Sequence, residues 1–220
     1  MKTGVFLKRV AAVAAVSFCM FSFGYAAFIN GAVKIGAQTT FYYLTTSAES
    51  VEVGVFDVTK NGGAGYVLDE NGGEIALAVY FNSMDAENVF AANLSNYDRL
   101  KVRLRNGNAL YVKKRSDKKR AKKIKADFEA ARRHIAMLDE ILFGLEKGET
   151  QESVKRNLGA MRESFQTLEV LSIEELRPLF ACGRQGVAEL GSGIVTASEL
   201  RYLLCELSVL YTGASGAFAL

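Results

Sequence analysis

Three kinds of hydrophobic pattern follow one another along this chain. The first is unbroken: from Val10 to Ile29, in "VAAVAAVSFCMFSFGYAAFI", twenty residues pass without a charge. A helix rising about 1.5 Å per residue would cross about 30 Å of hydrocarbon over that length. Lys2, Lys8 and Arg9 precede it, which favours a cytoplasmic tip at residues 1–9, an anchor at 10–29 and the rest of the chain outside the cytoplasm. Two readings compete with the anchor: a signal peptide cleaved near Gly24-Tyr25-Ala26, and a buried core helix. Residues 30–39 read as a linker.

The second pattern alternates with period two, over residues 40–113. "TTFYYLTT" is β-branched and aromatic and predicts a strand at 40–46. "VEVGVFDV" predicts another, with Val51, Val53 and Val55 opposite Glu52, Gly54 and Phe56. "GYVLDENGGEIALAVYF" reads as a hairpin around "ENGG", whose residues tolerate a tight turn. Its second arm sets bulky Ile75, Leu77, Val79 and Phe81 against Glu74, Ala76, Ala78 and Tyr80. A helix follows in "NSMDAENVFAANL", with Ser83 as its cap and Ala86, Val89, Phe90 and Leu94 as the stripe that covers the bulky face. "DRLKVRLRNGNALYVKKR" then reads as a further strand or a hairpin around "NGN".

The third pattern is helical. Ile124, Phe128, Ala131, Ile135, Leu138, Leu142 and Leu145 step by four and three, and so do Val154, Leu158, Met161, Phe165 and Leu168. Gly148 and Thr150 mark the turn between them, so the two runs predict an antiparallel hairpin, its seam buried within the chain or shared with a second copy. Ser172 with Glu175 and Thr196 with Glu199 fit capping boxes for two more helices, the first shortened or bent by Pro178. The expected class is α+β: an N-terminal transmembrane helix, a small antiparallel sheet packed by a helix over 40–115, and a helical bundle over 116–220.

Charge changes this picture more than composition does. The net charge of +3 over 220 residues hides segregation. Residues 31–100 carry three basic and nine acidic groups, 101–133 fourteen and three, and 134–220 seven and twelve. The densest patch is Lys113, Lys114, Arg115, Lys118, Lys119, Arg120, Lys122, Lys123 and Lys125. Such a block is a solvated helix face, a partner for the acidic flanks, or a site for wall polyanions or anionic lipid headgroups. Placement outside the cytoplasm argues against nucleic acid.

Chemistry is sparse. His134, the one histidine, follows Arg132 and Arg133 and reads as a surface residue. No CxxC or His-rich spacing supports zinc, and no cofactor motif stands out; the spacing of "GGAGYV" is not that of a dinucleotide fingerprint. Cys182 and Cys205 can form one disulfide; the alternative is two buried thiols. Asp69, Glu70 and Glu74 crowd a turn, and paired carboxylates are the basis on which a carboxylate-dependent hydrolase would rest. No catalytic residue is assigned.

Short motifs in the β-rich unit resemble a SPOR (sporulation-related repeat) domain. "VEVGVF" at 51–56 is similar to that family's opening V-Q-V-G-x-F strand, with Glu52 in place of Gln; "GGAGYV" resembles the end of its first helix and its second strand; "EIALAVYFNSMDAENV" resembles its third strand and second helix. Only about ten residues separate Phe56 from Tyr66, so on this alignment the first helix is missing or replaced. The resemblance implies a peptidoglycan-binding module whose open sheet face takes glycan strands. The corresponding face would carry Glu52, Gly54, Phe56, Ala76, Ala78 and Tyr80, unless it packs on the helical region instead. The expected function is a membrane-anchored extracytoplasmic binding or scaffold protein in division or sporulation. The alternative is a protein–protein interaction module built on the helical hairpin, including self-association.

Overall fold

The computed structural model describes residues 32–93, 97, 99–113 and 118–219. The apolar run 10–29 and the tip at 1–9 lie outside the described residues. Among those described, no helix is long and apolar enough to cross a membrane.

The centre of the molecule is a four-stranded antiparallel sheet. Its strands are β2 (Thr40–Ser47), β3 (Tyr66–Asp69), β4 (Glu74–Tyr80) and β5 (Lys101–Asn106), in the order β3-β4-β2-β5. Each strand is antiparallel to its neighbours, so β2 runs parallel to β3, and β4 to β5. Parallel strands cannot be joined by a tight turn; they need a crossover, usually helical. The two crossovers are α1 (Val51–Lys60) and α2 (Ser83–Asn93). The resulting β-α-β-β-α-β order is a split β-α-β arrangement.

Topology explains why "VEVGVF" is the start of a helix and not a strand. Its β-branched alternation is a weak prior that tertiary context overrides. Ser50 caps the helix by accepting the Val53 N–H, Glu52 suits its positive end and Lys60 its negative end. Gly54, Val55 and Val58 then fall on the side facing the sheet. On the SPOR alignment the opening strand would lie at 51–56, and that expectation is not met. Thr40–Ser47 is the opening strand, and the segment matched to that strand is the helix.

Both faces of the sheet are covered. On one side Leu44, Ile75 and Leu77 pack with Val58 of α1 and with Val89 and Phe90 of α2. On the other, Phe41, Tyr43, Ala76 and Val79 join the core of the helical half. A β-bulge makes this possible. Leu44 pairs with Ala78 and Thr45 with Ala76, which leaves Leu77 unpaired on β4. The extra residue resets the alternation, so that Ala76 before it and Val79 after it face the same way.

The helical half comprises α3 (Lys118–Glu146), α4 (Gln151–Leu171), a 3₁₀ turn at Glu174–Leu176, α5 (Arg177–Ser192) and α6 (Ala197–Gly216). Both heptad stripes are buried within the one chain, from Ile124 to Leu142 and from Val154 to Phe165. Thr196 and Glu199 form the expected capping box. The box expected at Ser172 does not form: the Ser172 hydroxyl is buried without a partner, and the carboxylate of Asp127 accepts the Ile173 N–H at 2.8 Å instead. Asn82, not Ser83, caps α2 by accepting the Asp85 N–H at 2.8 Å. α6 lies against the sheet, where the Tyr43 and Ser208 hydroxyls meet at 2.6 Å.

Two further strands, β1 (Ala32–Gly36) and β6 (Leu110–Lys113), make a separate antiparallel ribbon. β1 falls inside the stretch expected to be a linker. "NGN" makes no hairpin, because β5 pairs with β2 and β6 with β1. The backbone of that loop is used elsewhere: the Gly107 N–H donates to the Thr39 carbonyl and the Asn108 N–H to the Ser215 hydroxyl, each at 2.7 Å.

Candidate functional site

The six residues expected to share an open sheet face do not share a surface. Glu52 and Phe56 are exposed on α1, Phe56 by 64%, with the Lys60 ammonium 6.0 Å from its ring. Gly54, on the same helix, is buried. A Cβ there would stand 2.5 Å from both the Ala48 Cβ and the Ile75 Cδ1, so this glycine lets α1 close onto the sheet. Ala76 is fully buried in the core shared with the helical half, and Ala78 is buried as well. Tyr80 packs at the edge of the α1–α2 side, where burial pushes its hydroxyl up to about 12. The alternative, that the small-residue face packs on the helical region, is what Ala76 does.

The basic patch is more coherent. Lys113 ends β6, and Lys118, Lys119, Arg120, Lys122, Lys123 and Lys125 are exposed along the first turns of α3; Lys114 and Arg115 lie outside the described residues. The Lys123 ammonium donates to the Asp127 carboxylate at 3.2 Å and to the Leu171 carbonyl, tying α3 to the end of α4. Lys125 lies 3.8 Å from Glu129. Lys118, Arg120 and Lys122 meet no carboxylate among the described residues.

Next to this patch lies a concavity of about 870 Å³ between the ribbon, the start of β2 and the outer face of α3. Its cations come from two walls: Lys34 on β1, and Lys125, Arg132 and Arg133 on α3. Glu129 is the acid among its lining residues. The base is aromatic, with Phe81 half-buried beside buried Phe128 and Tyr211. Edge contacts fix these rings: Phe41 to Phe81 at 5.8 Å, Phe41 to Tyr211 at 5.7 Å and Phe128 to Tyr211 at 5.3 Å between centroids. The Tyr211 hydroxyl is held by Thr39 at 3.2 Å. Sequence reasoning missed this site. Lys125, Arg132 and Ala136 recur at helical spacing on one side of the heptad stripe, and that signal was available; the contribution of β1 was not, because its segment read as a linker.

The remaining candidates have structural work. His134 is buried, not on the surface. One ring nitrogen meets the Ala130 carbonyl and the other the Ser164 hydroxyl, both at 2.8 Å, and the ring lies 4.7 Å from that of Phe165. Burial holds its pKa below the usual value. Cys182 and Cys205 are free thiols, the reading in which no disulfide forms. Burial pushes Cys182 up to about 12 and raises Cys205 further, so neither is a ready nucleophile. Asp69 accepts the Asn71 N–H at 3.1 Å within its turn, and Glu74 accepts from the Thr45 hydroxyl at 3.1 Å and pairs with Arg103.

Comparison with protein-family models, with curated proteins and with solved structures finds no match.

Proposed function

We propose that this protein is a membrane-tethered binding or scaffold protein of a bacterial cell envelope, and that its partner is an anionic wall polymer such as peptidoglycan. The observation that carries the reading is the exposed cationic start of α3, where Lys118, Arg120 and Lys122 project without acidic neighbours among the described residues. Closely spaced cations on one rigid helix raise the local concentration of a polyanion and give binding that weakens with salt. On this reading the run from Val10 to Ile29 is the tether, and the three cations before it favour a position for this face outside the cytoplasm.

The 40–115 unit is, on this proposal, a SPOR-like module. Such a module would have given its sheet face to the helical half, and glycan contacts would lie elsewhere on the molecule. The role is recognition and not chemistry, in division or sporulation as the resemblance implies.

Two experiments test this. Alkaline carbonate extraction and protease treatment of intact cells and spheroplasts should leave the full chain in the membrane and degrade its bulk only from outside. Purified full chain on beads should retain an anionic wall polymer over a neutral glucan, with retention falling steeply as salt rises. Equal retention of the two polymers at every salt concentration would reject the reading.

A further inference from the structure

The concavity between the ribbon and α3 offers more than attraction to a polyanion. Its volume of about 870 Å³ falls within the range of about 300–1,000 Å³ usual for small-ligand pockets. Lys34 faces it from one wall, and Lys125, Arg132 and Arg133 from the other. Glu129 is engaged with Lys125 at 3.8 Å, whereas Arg132 and Arg133 meet no carboxylate among the described residues. A guanidinium presents a planar fork that matches a carboxylate or phosphate, and Arg is the residue that exploits such geometry. The aromatic base adds the second half of a recognition site. Phe81 is only half-buried, and the rings beside it are locked by edge contacts. An aromatic face of this kind suits the apolar C–H face of a pyranose chair. Gln38, exposed at the rim, carries an amide able to donate to and accept from hydroxyl groups.

We infer that this cleft binds a sugar bearing an acidic substituent, its carboxylate or phosphate held by Arg132 and Arg133 and its ring laid on Phe81. The choice of a sugar over a nucleotide, which would also bring a ring and an anion, rests on the placement outside the cytoplasm proposed above. The cleft is then the selective element, and the cationic start of α3 is the unselective one.

The test is calorimetric titration of purified full chain with four probes: N-acetylmuramic acid, glucose 1-phosphate, neutral N-acetylglucosamine and adenosine monophosphate. The first two compare carboxylate with phosphate as the source of the anion. At least one acidic sugar should bind, with the neutral sugar about tenfold or more weaker, as expected when a charge-assisted hydrogen bond is lost. Arg132→Gln with Arg133→Gln, both exposed positions, should weaken the acidic sugar by about tenfold or more without moving the melting temperature. Lys118→Gln with Lys122→Gln should leave it within about twofold, since these residues do not line the cleft. Equal affinity for neutral and acidic sugars, tighter binding of the nucleotide, no binding by any probe, or an equal loss in the two variants would each overturn the inference. Retention on wall polymer separates the two readings. A chain that binds acidic sugar but ignores the polymer sinks the wall-binding role and leaves the cleft; the converse sinks the cleft alone.

Discussion

Asp139 and His134 sit five residues apart on α3 and respond to acid in opposite directions. Burial, with Glu146, Asp85 and Glu140 adding repulsion, raises the Asp139 carboxyl to about 6. Its folded form binds a proton more tightly than its unfolded form, so stability falls as pH rises from about 4 to 6 and the full cost persists above that. Burial instead lowers His134, which keeps the neutral ring between the Ala130 carbonyl and the Ser164 hydroxyl. Its contribution is whole above the unfolded pKa of about 6.5 and is lost as pH falls below it. Asp139→Asn should therefore raise the urea midpoint at pH 8 and give no advantage below pH 4. In that background the midpoint should drop between pH 7 and 5, and adding His134→Gln should flatten the drop. A turn residue gives a sharper test. Gly73 has φ +59°, and a Cβ there would lie 2.1 Å from the Ala48 carbonyl oxygen. Left-handed backbone alone costs a non-glycine residue about 1–2 kcal/mol, so Gly73→Ala should lose about 2 kcal/mol or more in a denaturation curve.

At the level of elements, the helical half was legible in the sequence because burial there follows a single period. Every position from Ile124 to Leu142 in the first stripe is buried, as the four-three stepping predicts. The sheet was legible only in part. β2, β3 and β4 stand where alternation put them, but Val51–Lys60 alternates and is a helix, because the parallel run of β2 and β3 demands a crossover that local pattern does not reveal. The bulge at Leu77 likewise leaves no mark in a sequence that alternates evenly through it. His134 was misread because the residues that bury it, Phe165 and Phe180, come from other helices. The covered sheet makes its own prediction. An open face would accept a large aromatic at position 76, whereas a side chain with no exposed surface, enclosed between β4 and the helical half, cannot. Ala76→Phe should destabilise the protein by about 1–3 kcal/mol through overpacking, read as a lower urea midpoint. Ala91→Phe, on the exposed side of α2, should change it little.

Over the whole molecule, the arrangement separates what holds the fold from what faces outward. The sheet is the middle layer, enclosed by α1 and α2 on one side and the helical half on the other. The acidic segments flank a cationic α3 whose inner stripe is core and whose outer face is charged. The ribbon of β1 and β6 then turns one stretch of that face into a cleft. The cleft could not be read from the chain, since its two walls are some ninety residues apart at Lys34 and Lys125. Co-sedimentation of full chain with peptidoglycan sacculi asks whether the wall polymer is held by the cationic start of α3 or by the residues first expected on an open sheet face. Wild type would be compared with Lys118→Gln/Arg120→Gln/Lys122→Gln and with Phe56→Ala/Tyr80→Ala, each at low and high salt. Wild type should pellet, less so as salt rises, with strong loss in the α3 variant and no loss in the Phe56/Tyr80 variant beyond any fall in its folded fraction. Salt-independent pelleting, kept by the α3 variant and abolished in a folded Phe56/Tyr80 variant, would contradict a wall site on α3.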